Sequence, residues 1–319
     1  MKNKLIKIIL IGFIVLQSTS CNEDLNPFGD HKEVYVLNCV LKNNVDFQSA
    51  YLSQGYFVDN FAPYSDTLDH TVNNSHVRIW FNDSVKIFSD TSFYSVSSNS
   101  NVTSYIHNDF SLIPDTDYEI EAVFNNGRKL RAKTKTPKKI LFLNTSTPII
   151  PPEQNNNVSV RWNSKDQQLY MASRFTFIYF KKENGVQVRY EKEVPRAIIN
   201  SGGQIKPFYP EPSYSAGITV QMDAFDFALR EISKDDPDKT NYTILAFILE
   251  VLIYDRNLTA YYAAKTELGE GFSISVNEND YTNIEGGKGI FGSFIKQRKA
   301  IKFSHDYIRS FGYEPGLTE

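Results

Sequence analysis

The chain has 319 residues, 41% of them hydrophobic, with 34 basic side chains against 37 acidic ones for a net charge of −3. That hydrophobic share suits a globular fold, and the lack of a basic excess or cationic run argues against nucleic acid or an anionic lipid surface as partner. The 19 Tyr and 23 Phe, set against 3 Met, point to β-rich cores.

The first residues fall into three zones. Lys2, Lys4 and Lys7 supply positive charge, Leu5 to Leu16 is almost wholly apolar, and Gln17 to Ser20 is small and polar. A spanning helix needs about 20 apolar residues and this run is shorter, so residues 1–20 read as a cleaved secretory signal. The following Ser18-Thr19-Ser20-Cys21 resembles a bacterial lipobox, with Leu16 five places before the cysteine where the usual motif has Leu three before. The resemblance implies that Cys21 is acylated on sulfur and becomes the head of the mature chain. Asn22, Glu23 and Asp24 resemble the export signal that sends Bacteroidetes lipoproteins to the outer face of the outer membrane; a periplasm-facing anchor is the alternative. Cys39 is then the remaining cysteine, so no disulfide forms within the mature chain. It alternates with Leu37 and Leu41 and reads as a small apolar residue packed in a strand.

Residues 21–32 hold Pro27 and Gly29 and little apolar content, a lipidated tether. Order is expected from residue 33. Short β-branched and aromatic runs follow: Val34 to Leu41, Gln48 to Phe57, His76 to Phe81, Val85 to Phe88, Tyr105 to Leu112, Tyr118 to Phe124 and Lys129 to Thr136. Asn82-Asp83-Ser84 and Asn125-Asn126-Gly127 read as hairpin turns, since Asn and Gly take positive φ at low cost. Leu112-Ile113-Pro114-Asp115-Thr116-Asp117-Tyr118 resembles the fibronectin type III corner. That likeness implies that Tyr118 points inward with its hydroxyl bonded to the preceding loop; Pro114 of the same segment is counted as a structural residue only. The boundary of this sandwich is placed at residue 137, ahead of a polar loop with Pro148, Pro151 and Pro152.

A second β region spans residues 138–303. Val158, Val160 and Trp162 alternate, as do Phe175, Phe177 and Tyr179, while Thr243 to Tyr254 is nearly all apolar and reads as a central strand buried on both faces. Asp223 to Ser233, behind a possible Asp223 cap, and Leu258 to Leu268 read as helices. Residues 304–319 are left as a tail. The fold class is therefore mainly β, an immunoglobulin or fibronectin type III-like N-terminal sandwich plus a C-terminal β-sandwich-like domain with one or two short helices.

Near the C-terminus stands Tyr281-Thr282-Asn283-Ile284-Glu285-Gly286-Gly287-Lys288-Gly289-Ile290-Phe291-Gly292. With the lipidated cysteine, the early strand and the fibronectin-like middle, it resembles the closing signature of a family of Bacteroidetes outer-membrane lipoproteins that has no established activity. Members often accompany TonB-dependent receptors, which implies an accessory role in nutrient capture and no catalytic residues to carry over.

Within that signature Gly287, Gly289 and Gly292 spell the dinucleotide pattern letter by letter. The motif needs a strand-turn-helix unit with pyrophosphate at the helix N-terminus, and Ile290, Phe291 and Phe294 read as strand instead. Gly286, Gly287, Gly289 and Gly292 are therefore expected to permit a tight turn and close backbone approach. Phe208, Tyr209 and Tyr214, carried by a proline-stiffened segment, form the candidate binding loop for a small molecule, glycan or peptide; rings packed on the domain's own surface are the alternative. Asp235, Asp236 and Asp238 lack calcium-loop spacing, and the five histidines show no HExxH pair, so no metal site is indicated. No G-x-S-x-G elbow is present and no cofactor is implied. The expected function is a non-enzymatic accessory binding lipoprotein, ahead of a surface adhesin or spacer and, third, a hydrolase.

Overall fold

The computed structural model describes residues 33–55, 70–95, 100–143, 149–153, 156–164, 168–201, 204–209, 211–267 and 281–316. Cys21, Asn22, Glu23 and Asp24, with the signal and tether readings, lie outside the described residues. Strands account for 57% and helices for 13%, so the protein is mainly β and sandwich-like.

Period-two patterning builds the first part. In β1 (Tyr35–Lys42) the residues Tyr35, Leu37, Cys39 and Leu41 are buried in alternation, and β2 (Phe47–Gln54) lies antiparallel to it. Burial pushes the Cys39 thiol up to about 12, so it packs as an inert apolar group. After β3 (His76–Phe81), the long strand β4 (Ser84–Ser95) changes neighbours halfway. Ser84 to Phe88 lies against β3, while Ser89 to Ser95 lies against β5 (Ser100–Asn108), which also borders β2. With β6 (Asp117–Val123) beside β3 and β7 (Lys129–Lys135) beyond it, the inner residues Leu37, Leu52, Ile79 and Ile120 share one core. The turns behave as the residue types dictate: Asn82 has φ 47° and Gly127 has φ 81°. At the corner, the Tyr118 hydroxyl accepts the Ile113 N–H at 2.9 Å. Thr136 Oγ1 closes the same loop, donating to the Ile113 carbonyl at 2.7 Å.

The later strands begin with β8 (Leu141–Phe142) and β9 (Asn157–Asn163), followed by the long β10 (Met171–Glu183) and β11 (Val186–Val194). A hairpin of β12 (Ala197–Ser201) and β13 (Gln204–Phe208) and the strand β14 (Gly217–Gln221) lead into α1 (Met222–Ile232). Then come β15 (Tyr242–Tyr254), α2 (Arg256–Glu267), β16 (Lys288–Ile301), α3 (His305–Ser310) and β17 (Glu314–Pro315). β15 is the buried central strand expected, bordered by β10 and β16. Its Phe247 ring stacks on Phe175 at 5.1 Å and meets Phe225 of α1 at the same distance, which is why α1 covers this face.

Two local expectations are corrected. Asp223 does not cap α1: the cap position is Gln221, which makes no side-chain hydrogen bond, and Asp223 sits in the first turn where its charge favours the helix dipole. The segment after residue 303 is no loose tail, because Ile308 and Tyr313 are buried and the Tyr313 hydroxyl donates to the Leu229 carbonyl at 2.6 Å.

The sheet order is β11-β10-β15-β16-β1-β2-β5-β4-β3-β6-β7, with β17 added on β15. The halves expected on either side of residue 137 thus share one sheet and one core, and Val34–Glu319 forms one compact unit. The join is the parallel pairing of β1 with β16, with Leu37 opposite Gly289 and Cys39 opposite Phe291. Here the Asn283 amide acts as a bracket on strand β16, accepting the Phe291 N–H at 2.9 Å and donating to the Phe291 carbonyl at 2.7 Å. Glu285 exchanges two backbone hydrogen bonds with Arg131 of β7. A Cβ on Gly286 or Gly287 would fall 2.6 Å from the Lys129 carbonyl oxygen or 2.3 Å from that of Tyr35, so the turn needs glycine to pass.

Two buried carboxylates brace the outer faces in the same way. Glu121 of β6 lies directly across from Arg78 of β3 and Arg131 of β7 and binds both at 2.5 Å. Glu250 of β15 lies across from Arg174 and Arg298, each 2.7 Å away, with Lys296 added at 2.5 Å. Burial works to raise the Glu250 pKa, but hydrogen bonds from Lys296, Arg174 and Arg298 outweigh it and hold the carboxyl at about 2.

Candidate functional site

The candidate site is a cleft of about 870 Å³ at the end of β3, the start of β6 and the run from Lys133 to Lys138 that ends β7, closed on another side by the start of α2. Its size falls within the range of ordinary ligand clefts, roughly 300–1,000 Å³. Strand alternation decides what enters it. Val77 and Ile79 point into the core, so Arg78 and Trp80 face outward, and Trp80 meets the cleft at the strand end. Tyr118 and Leu169, both buried, lie beneath.

The rim charges are largely matched in pairs. Lys133 Nζ stands 3.3 Å from Glu119 Oε2, its cross-strand partner, and Lys135 Nζ stands 3.2 Å from Asp115 Oδ1. Such exposed pairs contribute little stability, at most about 1 kcal/mol each. Asp117, Lys138 and Arg256 complete the charged rim.

Asp255 follows β15 and lies 1% exposed at the cleft wall. Its Oδ1 accepts the Leu258 N–H at 2.8 Å, capping α2, and its Oδ2 accepts the hydroxyls of Thr134 and, at 2.8 Å, Ser293. One carboxylate therefore ties β7, β16 and α2 together. Beside it, Asn257 Nδ2 donates to the carbonyls of Lys133 at 2.9 Å and Phe291 at 3.1 Å. Burial pushes the Asp255 pKa up to about 6, against the lowering by the Leu258 amide and the two hydroxyls.

The sign of the resulting pH dependence follows. An acid that holds its proton more tightly folded than unfolded disfavours folding once ionised, so its cost grows as pH rises from the unfolded value near 4 to about 6. Asp255→Asn keeps the shape and can keep the cap while removing that charge. Its stability relative to the parent should rise by about 2–3 kcal/mol between pH 4 and pH 7 in urea unfolding, the size a shift of about two units implies. A constant difference across that window would show that the carboxyl titrates as in an unfolded chain.

The residues singled out from sequence are dispersed. Phe208 lies on β13, a strand opposite Ala197 of β12, where a rigid loop was expected, while Tyr209 and Tyr214 follow off the strand. All three remain exposed, at 44%, 43% and 55%, although the Tyr214 ring meets Tyr170 edge-on at 4.3 Å. None of them lines the cleft. Pro114 and Tyr118 belong to the corner beneath it. Gly286, Gly287, Gly289 and Gly292 lie in the turn and strand that weld β16 to β1, so the turn leads into a strand and not a helix. The acids at 235–238 serve their own turn: Asp236 accepts the Tyr242 hydroxyl at 2.9 Å and Asp238 accepts the Thr240 N–H at 3.2 Å. Sequence reasoning passed over Trp80 and Asp255. The first was legible as an outward position in an alternating strand, the second as an acid three places before Leu258 at the start of a predicted helix. No protein-family model matches the chain, and no curated protein matches it.

Proposed function

We propose that the protein is a lipid-anchored component of the bacterial outer membrane, displayed at the cell surface, whose β body binds without catalysing. The N-terminal charge, apolar run and Cys21 support the anchor. The observation that supports the binding role is the exposure of Phe208, Tyr209 and Tyr214, three aromatic side chains close together in the chain that remain 44%, 43% and 55% exposed and so are available to a partner. The cleft supports a non-enzymatic reading, because its one deeply buried acid, Asp255, has both oxygens committed to donors of its own chain. From the family resemblance, the partner at Phe208, Tyr209 and Tyr214 is a TonB-dependent receptor, and the role is accessory capture of a nutrient.

A mild-detergent pull-down from native membranes tests this. The parent should bring down the receptor, and replacing Phe208, Tyr209 and Tyr214 with Ala should abolish its recovery with the melting temperature unchanged. Cys21→Ala should move the protein to the soluble fraction. Membrane retention of Cys21→Ala, or an abundant parent with no transporter attached, would remove the reading.

A further inference from the structure

We infer that the cleft beside Trp80 is a binding site for a neutral oligosaccharide, with the Trp80 indole as its stacking platform. The inference deepens the binding-protein reading and rests on it, but uses a different surface from Phe208, Tyr209 and Tyr214.

The platform is rigid by design of its neighbours. The Arg78 guanidinium lies over the Trp80 ring, 4.8 Å from its centroid, and Arg78 is itself clamped by the buried Glu121. A cation packed on one face fixes the indole. Trp80 lines the cleft and Arg78 does not, so the guanidinium does not occupy the space a ligand would fill. A sugar ring offers a flat patch of C–H groups to such a surface, and little side-chain entropy is lost because the indole is already held.

The polar lining selects against charged ligands. Lys133 with Glu119 and Lys135 with Asp115 neutralise one another at 3.3 and 3.2 Å. The remaining rim charges, Asp117 against Lys138 and Arg256, are of both signs, so a strong anion meets a carboxylate and a cation meets two positive groups. Hydroxyl groups both donate and accept, and they satisfy carboxylate, ammonium and guanidinium alike. Asn82, on the β3–β4 turn, adds an amide of the same dual character. A volume of about 870 Å³ holds a chain of several sugar rings and exceeds what a single small ion or amino acid fills.

The chain has 2 tryptophans, and the other, Trp162, is buried with its indole N–H on Met171 Sδ at 3.0 Å. Acrylamide quenching of the full-length protein in detergent therefore reports on Trp80. Gluco-, xylo-, manno- and galacto-oligosaccharides of defined length should be titrated alongside oligogalacturonate and short peptides. At least one neutral series should lower the quenching constant at least about twofold, and calorimetry should show its affinity weakened at least about tenfold in Trp80→Ala. Trp80→Phe, which retains a flat ring, should recover part of that affinity and guards against a folding defect in the alanine variant. Protection by oligogalacturonate or peptide alone, unchanged affinity in Trp80→Ala, or no protection by any neutral series would overturn the assignment. Receptor pull-down is unaffected by Trp80→Ala if only the sugar site is wrong, and lost in the parent if the accessory reading itself is wrong.

Discussion

Gly289→Ala is expected to destabilise the protein severely. The residue has φ +114°, a region that L side chains rarely adopt, and a Cβ there would lie 2.1 Å from the Leu37 carbonyl oxygen. The clash falls on backbone, which cannot step aside without separating β16 from β1, the pairing that joins the two parts of the sheet. Strain of about 1–2 kcal/mol for the dihedral and about 1–3 for the overlap add to the weakening of that ladder, so a loss on the order of 3–5 kcal/mol is expected. That is a large share of the roughly 5–15 kcal/mol that stabilises a typical domain. Gly127→Ala is the control. It shares a positive φ of +81° but has nothing within 4 Å, so it should cost only the dihedral part. Chemical denaturation of both variants separates strain from collision, and equal losses would show that the β1–β16 contact tolerates a methyl group.

Removing Glu250 should be damaging as well. Glu250→Ala takes the shared anion from Lys296, 12% exposed, and from Arg174 and Arg298, which are about half exposed; Arg174 keeps Glu193 at 3.3 Å and solvent screens both arginines, so the loss should be about 2–3 kcal/mol, below the roughly 3–5 of a fully buried pair. The pH dependence has a definite direction. Because the folded carboxyl is depressed to about 2 from an ordinary value near 4.5, its contribution is fully present above pH 5 and is lost as pH falls toward 2. Glu250→Gln should therefore be destabilised at pH 7 and converge on the parent at low pH. Glu119→Gln, which breaks only the exposed pair with Lys133, should change stability by no more than about 0.5 kcal/mol. A flat difference between Glu250→Gln and the parent from pH 7 to pH 2 would count against the cluster as the source.

Most β elements were legible because their cause is local. Alternation in Val34 to Leu41 and Val158 to Trp162 reports which face is wet, and the nearly all-apolar run of Thr243 to Tyr254 reports a central strand, though its Glu250 face carries an ion cluster. The hairpin at Asn125 to Gly127 follows from the φ values those residue types accept. The glycine signature was likewise readable as a place of close backbone approach. What it approaches was not, because Leu37 lies some 250 residues earlier and no pattern in either segment names the other.

Local chemistry thus determined most strand positions, the turns and the refusal of a nucleotide motif, while the inward tyrosine of the corner came from the likeness to the fibronectin type III corner. Tertiary structure alone decided that β1 and β16 run parallel through the centre of one sheet, that β4 divides itself between two neighbours, and that Ile308 and Tyr313 belong to the core. It also decided the cleft. Trp80, Asp117, Lys138 and Asp255 come together only once β3, β6, the end of β7 and α2 have packed. The physical reason is range: side-chain periodicity and dihedral preference act over a few residues, whereas strand partners and cleft walls are chosen by burial summed over the whole core.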